Sequence, residues 1–180
     1  MIEVLVTIMI LTIGLLGVAG LQARMQLAQA EVHHRTQAVL LLREMVNRIN
    51  ANRSNAHDYV TARPLGAGNS IQDCTGLGDS ALDLCEWNNA LLGAAESTAG
   101  GQPAGSMIGA RGCITKVVEA MPREFVIAVT WQGLVPTVAP ASTACGEGLY
   151  GNELTRRALV SHVMIGCLQN DPVNGGCVTP

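Results

Sequence analysis

The sequence predicts an α+β chain in which one long N-terminal helix lies on a small antiparallel sheet, with a second short helix beside them. Three observations carry that expectation. An uncharged apolar run covers Val4–Ala23, a 3-4 spaced apolar stripe continues it with no Gly or Pro before Arg63, and later segments alternate apolar with polar residues.

The 180 residues are 48% hydrophobic and only 14% charged, which suits one ordered domain and excludes an intrinsically disordered chain. A net charge of -3 gives no basic footprint for nucleic acid, and 3% aromatic residues leave little for stacking platforms.

The first element is the apolar run. Its twenty residues hold only Thr7, Thr12 and Gln22 as polar side chains, and twenty helical residues match a hydrocarbon layer of ~30 Å. A core helix of a soluble protein is seldom apolar on every face. A cleaved signal peptide needs a basic start, and no Lys or Arg precedes the run; its end, Gly17–Ala23, fits a cleavage site only loosely. A membrane-inserted helix is therefore expected. Glu3 stands one position before the run, where a carboxylate is either a headgroup-level residue favoured by the helix dipole or a functional group awaiting a partner. Gly14, Gly17 and Gly20 permit close approach of a second helix, although glycine is also simply common in membrane helices.

The helix then continues into water. Met25, Ala28, Val32, Val39, Leu42, Val46 and Ile49 form a stripe that Leu41 and Met45 widen, and Glu31–Arg35 and Glu44–Arg48 are i,i+4 ion pairs. Apolar run and stripe make one rod of about 75 Å at 1.5 Å per residue, with Pro64 as its outer limit. A homodimeric coiled coil is the structural alternative, but it needs a cleaner heptad pattern. The organisation is thus residues 1–23 as membrane helix, 24–53 as its amphipathic continuation and 54–180 as a globular part.

Past Tyr59 a Gly- and Pro-rich loop leads to a second helix, which Asp79 or Ser80 caps and whose apolar face is Ala81, Leu84, Trp87, Leu91 and Leu92. Gly93 and the glycines around Pro103 close it. Cys113–Val118 and the alternating Glu124–Trp131 read as a hairpin, and Arg156–Ile165 as a third strand with Leu159, Val163 and Ile165 on one face. Three strands with one polar face need a cover, which the helix stripe supplies.

Six cysteines (Cys74, Cys85, Cys113, Cys145, Cys167 and Cys177) permit fifteen pairings. Nearness favours Cys74 with Cys85 and Cys167 with Cys177, which leaves Cys113 and Cys145 to join strand to loop. No two lie closer than ten positions, so the short ligand spacing of structural zinc is absent and an oxidising compartment is expected. That compartment conflicts with orientation. Every Lys and Arg follows the apolar run, which alone would hold the rest of the chain in the cytoplasm, and a short basic leader ahead of Met1 removes the conflict.

Catalytic signals are missing. His33 and His34 point about 100° apart on a helix and read as solvated, while His162 reads as a structural strand residue. Asn170, Asp171 and Asn174 lack calcium-loop spacing. Gly76–Ala81 matches a loose dinucleotide fingerprint without the preceding strand and reads as a turn and cap. Asn52-Arg53-Ser54 fits a glycosylation pattern too short to mean much. No enzyme activity and no cofactor are expected.

The N-terminus, Met1-Ile2-Glu3-Val4-Leu5-Val6 with Ile10–Gln22, resembles that of type IV pilins, and Ile13-Gly14-Leu15-Leu16-Gly17-Val18-Ala19-Gly20-Leu21-Gln22 looks most like the minor pilins called PilV. The likeness is looser in Asp83 with Trp87, Arg111–Ile114, Val129–Gly133, Cys145-Gly146 and Arg156-Arg157. It implies a leader ending in Gly, then a methylated Phe and one more residue, ahead of Met1, with removal by prepilin peptidase. It implies an inner-membrane protein with a single pass and its C-terminal part in the periplasm, which later enters the pilus at the cell surface. Glu3 would meet the N-terminal amine of an adjacent subunit. Other minor pilins, the major pilin and the inner-membrane assembly platform would be its partners in priming assembly. Twitching, adhesion and DNA uptake stay open as the pilus function. Two further readings stay open as well: a type II secretion pseudopilin, and a signal-anchored periplasmic binding domain that never polymerises.

Overall fold

A computed structural model describes residues 2–94, 107–118 and 122–167, together with the backbone of 169–170 and 177–178. The architecture is α+β: a 50-residue N-terminal helix packed on a four-strand antiparallel sheet, plus a short second helix. Two compact units divide between Arg35 and Thr36.

Helix α1 runs Ile2–Ala51 and is followed by a 3₁₀ segment, Arg53–Tyr59. Strand β1 is Leu65–Gly66, helix α2 Asp79–Leu91, β2 Arg111–Val118, β3 Arg123–Gln132 and β4 Arg156–Ile165. The sheet order is β1-β2-β3-β4, and a separate two-stranded ribbon pairs β5 (Gln169–Asn170) with β6 (Cys177–Val178). Sequence reading had three strands. β1 escaped it because two residues among glycines leave no alternation to detect.

The core lies between the Thr36–Ala51 part of α1 and the inner sheet face. Ala38, Leu42, Met45 and Ile49 are the helix residues fully buried there, and Ile114, Phe125, Ile127, Val129, Val163 and Ile165 receive them. The expected stripe is therefore rotated. Val46 is only half-buried, and Met45 takes the central place, its unbranched side chain filling the space above the sheet. Met25, Ala28 and Val32, placed on the same stripe, are exposed.

Helix α2 is held to both layers by Trp87. Its indole N–H donates to the Leu41 carbonyl of α1 at 3.1 Å, while its ring lies against Gly112 of β2. A Cβ at Gly112 would stand 2.6 Å from Trp87 Cζ3 and 2.8 Å from Leu91 Cδ1, so the strand must be bare at this point. Asn88, buried beside Trp87, accepts from Gly66 N–H at 2.9 Å and donates to the Ser70 carbonyl at 3.0 Å, which fixes the glycine-rich excursion to the helix. Neither Asp79 nor Ser80 caps α2, contrary to the sequence reading. Gly78 occupies the cap position without a side-chain bond, and Asp79, the first residue of the helix, stands in the left-handed region with a φ of 50°, its charge placed in the first turn where the helix dipole favours it. Gly93, in the left-handed region, ends the helix as expected, while the glycines around Pro103 lie outside the described residues.

Arg48 joins α1 to α2 electrostatically. Beyond the expected Glu44 at 2.7 Å, its guanidinium reaches Asp83 at 2.7 Å and Glu86 at 2.6 Å. Burial opposes the charge, and hydrogen bonds to Glu86, Asp83 and Glu44 outweigh it, so the pKa is raised and the cation is held. The Tyr59 hydroxyl donates to the other Asp83 oxygen and accepts from Asn52 Nδ2 at 3.3 Å. Burial, reinforced by the bond to Asp83, pushes the Tyr59 phenol up to about 12.

Substituting Gly112→Ala should cost the full-length chain about 1–3 kcal/mol in a detergent unfolding series, the scale of an overpacked core; an unchanged midpoint would show that Trp87 does not need this contact. A raised phenol pKa means that the folded state keeps the Tyr59 proton. Its stabilisation is present below pH 10 and is lost as pH rises from 10 to about 12. The interval is uncluttered because Lys116 is the only lysine and Tyr150 the only other tyrosine. Thermal unfolding across that interval should fall more steeply for the native chain than for Tyr59→Phe, and equal slopes would contradict this.

Candidate functional site

Two surfaces are candidates, one in each unit. In the N-terminal unit the helix exposes apolar side chains around its whole circumference, from Ile2 through Leu21, and none of its most apolar window is buried. With a mean hydropathy of 2.6, it is long and apolar enough to cross a membrane. Its polar side chains satisfy themselves: Thr7 Oγ1 donates to the Val4 carbonyl at 2.9 Å and Thr12 Oγ1 to the Met9 carbonyl at 2.8 Å. Space is open around Gly14, Gly17 and Gly20, so nothing within the chain requires these glycines. Glu3 lies exposed in the first turn and has no partner among the described residues.

In the second unit a groove of about 460 Å³ crosses the outer sheet face. Its floor is Thr115, Val117, Val126 and Ala128, one wall is Thr61–Pro64, and the other is Ser142–Cys145. The second wall exists because the loop after β3 folds back over the sheet. Cys113 on β2 is bridged to Cys145, and Thr130 shares a 2.9 Å hydrogen bond with Tyr150, whose hydroxyl donates to the Gly109 carbonyl at 3.0 Å. Arg156, almost wholly buried, donates to Glu153 at 2.6 Å and to the Thr143 and Cys145 carbonyls at 2.8 and 3.3 Å. The hydrogen bond from Arg156 holds the Glu153 carboxyl below its usual range. Ala128 and Thr130 are consequently buried, although they stand on the face that the sequence reading took as the polar one.

Among the described residues the groove lining carries no carboxylate, imidazole or free thiol, only aliphatic groups, hydroxyls, the Cys113–Cys145 disulfide and the Arg63 guanidinium. Among the described residues no three His, Cys, Asp or Glu side chains gather as a metal site. His33 and His34 have ring centroids 6.3 Å apart and tilted planes. His162 Nδ1 lies 2.6 Å from Glu124 Oε1 on the outer face of the sheet. Asn170 falls in β5, and Asp171 and Asn174 lie outside the described residues. Gly76, in the left-handed region, makes the turn that leads into the Gly78 cap of α2. Asn52 is committed to Tyr59 and Asn55. A second disulfide joins Cys74 to Cys85 across the start of α2; Cys167 is also disulfide-bonded, and the Cys177 side chain lies outside the described residues.

Sequence reading missed Tyr59, Asp83, Asn88 and Arg156 as organising residues. A signal existed for one of them: Asp83 and Glu86 are the acids at i,i+3 on α2, and they match the cationic Arg48 that ends α1. No protein-family model, no curated protein and no solved structure matches this chain.

Proposed function

We propose that this chain is a minor pilin of a type IV pilus, of the PilV kind, which takes part in starting assembly and performs no catalysis. The helix Ile2–Leu21 carries the reading: it is apolar and exposed on every side, its hydroxyls are bonded to its own carbonyls, and Glu3 is its one ionisable side chain. Such a surface needs either a bilayer or a bundle of like helices around it. Because its two hydroxyls are satisfied internally, the helix can leave lipid for a bundle without re-pairing either of them. Gly14, Gly17 and Gly20 then let neighbouring helices approach closely. Glu3 meets the N-terminal amine of an adjacent subunit, and pairing lowers the cost of holding both charges away from water.

Before assembly the chain is a single-pass inner-membrane protein with the disulfide-bearing part in the periplasm. Its partners are the other minor pilins, the major pilin, the inner-membrane assembly platform and prepilin peptidase. The two disulfides support an oxidising location for the second unit.

Replacing Glu3→Ala in the native host should leave the membrane level of the chain unchanged and reduce its amount in sheared pili by more than about tenfold, given the cost of an unpaired buried charge. Equal incorporation would remove the assembly mechanism and favour an anchored periplasmic domain that does not polymerise.

A further inference from the structure

We infer that the outer edge of β4 takes up an extended, uncharged strand of a different pilus subunit, an inference that rests on the pilin reading above. The direction of the main-chain groups shows that this edge is open. Ile114 of β2 turns its main chain away from β3: its carbonyl accepts from Thr61 N–H at 3.0 Å, and its own N–H donates to Thr61 Oγ1 at 3.0 Å. Ladder bonds alternate along antiparallel strands. Cys113 and Thr115 therefore bond to Ala128 and Val126, and the odd-numbered residues of β3 bond to the odd-numbered residues of β4. The Gly133 N–H continues this parity by donating to the Thr155 carbonyl at 2.7 Å. Ala158, Val160, His162 and Met164 thus direct N–H and C=O away from the sheet, and none of these groups has a partner among the described residues.

The opposite edge is protected and this one is not. β1 is two residues long, Thr61 covers β2 beyond it, and the register shifts between Lys116 and Val118. β4 pairs with β3 over its whole length without a bulge, and from Ala158 to Ile165 it holds no Pro, Lys, Asp or Glu. Short strands, bulges, prolines and charges are the devices that keep an edge from pairing, and β4 has none of them. The free groups decide what it accepts. They repeat about every 7 Å, which another extended main chain matches and a helix, with its bonds internal, does not. Side chains set the rest: His162, the one ionisable group of this stretch, is held by Glu124 at 2.6 Å, and Met164 on the same face is 66% exposed, so the added strand is apolar there. A second copy's β4 has that chemistry but not the geometry. An antiparallel pair has its two-fold axis normal to the sheet, which reverses the Thr36–Ala51 part of α1, and two such chains cannot enter one membrane from the same side. A parallel pair needs an offset of an odd number of residues, which two-fold symmetry does not allow. The strand therefore comes from a different chain.

Amide exchange of the full-length chain, read residue by residue, tests this. In detergent the N–H groups of Ala158, Val160, His162 and Met164 should exchange fast, and those of Leu159, Ser161 and Val163 slowly. In sheared pili the first set should slow by at least about tenfold, as newly bonded amides do, with the second set unchanged. A first set that stays fast in pili overturns the inference. So does one already slow in detergent, because this chain or a second copy would then cover the edge. Val160→Pro gives an independent reading, since it removes an outward N–H and no bond to β3. It should keep an unfolding midpoint close to the native one and yet be lost from pili, whereas Val160→Ala should enter them as the native chain does. Normal entry of Val160→Pro, or equal loss of Val160→Ala, overturns the inference; if Val160→Pro fails to fold, the exchange comparison decides. The outcome is separable from the pilin reading. Loss of Glu3→Ala from pili without slowing of the first set rejects only the strand addition, whereas normal incorporation of Glu3→Ala rejects the reading itself.

Discussion

The indole of Trp87 sits where α1, α2 and β2 meet, and the arrangement of the second unit depends on it. Its N–H satisfies a carbonyl of α1 while its ring fills the space that Gly112 leaves on the strand. An aromatic ring with one polar edge suits this place, because one side chain can bury a large apolar area and still pair its donor. Replacing either partner disturbs three elements at once. A larger residue at Gly112 lifts α2 from the sheet, and a smaller one at Trp87 leaves a cavity beneath it. The buried Asn88 then carries the same placement outward to the loop that contains β1.

Around this contact the polar groups do a different task. Arg48, Asp83, Glu86 and Tyr59 contribute little from ion pairing as such, since partly exposed pairs are worth about 1 kcal/mol or less. Their geometry is directional, however, and it fixes how α2 is rotated on α1. At the other face of the sheet, Arg156 and the Cys113–Cys145 bridge keep a loop rich in Gly, Pro and Ala in one place. A bridge spanning 32 residues restricts the unfolded chain, typically by ~2–4 kcal/mol.

How far the sequence disclosed this differs from element to element. The helix, the hairpin and β4 were legible because hydrophobic periodicity is a local property. Cys74–Cys85 agrees with a simple preference for near neighbours, and Cys113–Cys145 with the pair that this preference left over. What failed was anything set by contacts between elements. Which stripe residues are central depends on where Ile127 and Val129 lie beneath α1, so Met45 replaced Val46. The burial of Thr130 depends on Tyr150, twenty residues later. Asp79 looked like a cap, yet the turn set by Gly76 and Gly78 moved the helix start ahead of it. Glu3 is legible as an oddity in any reading, but no partner for it lies among the described residues.

The account assigns α1 two environments. The face of Ala38, Leu42, Met45 and Ile49 is covered by the sheet, whereas the apolar residues before Thr36 are exposed within the chain and, on the proposed pilin reading, find their cover on assembly. Amide hydrogen exchange read by mass spectrometry on the native protein, compared between membranes and sheared pili, tests this directly. The account predicts strong, equal protection of residues 38–49 in both states, and protection of Met25–Arg35 that rises on entry into pili. Equal exchange of Met25–Arg35 in the two states would contradict it.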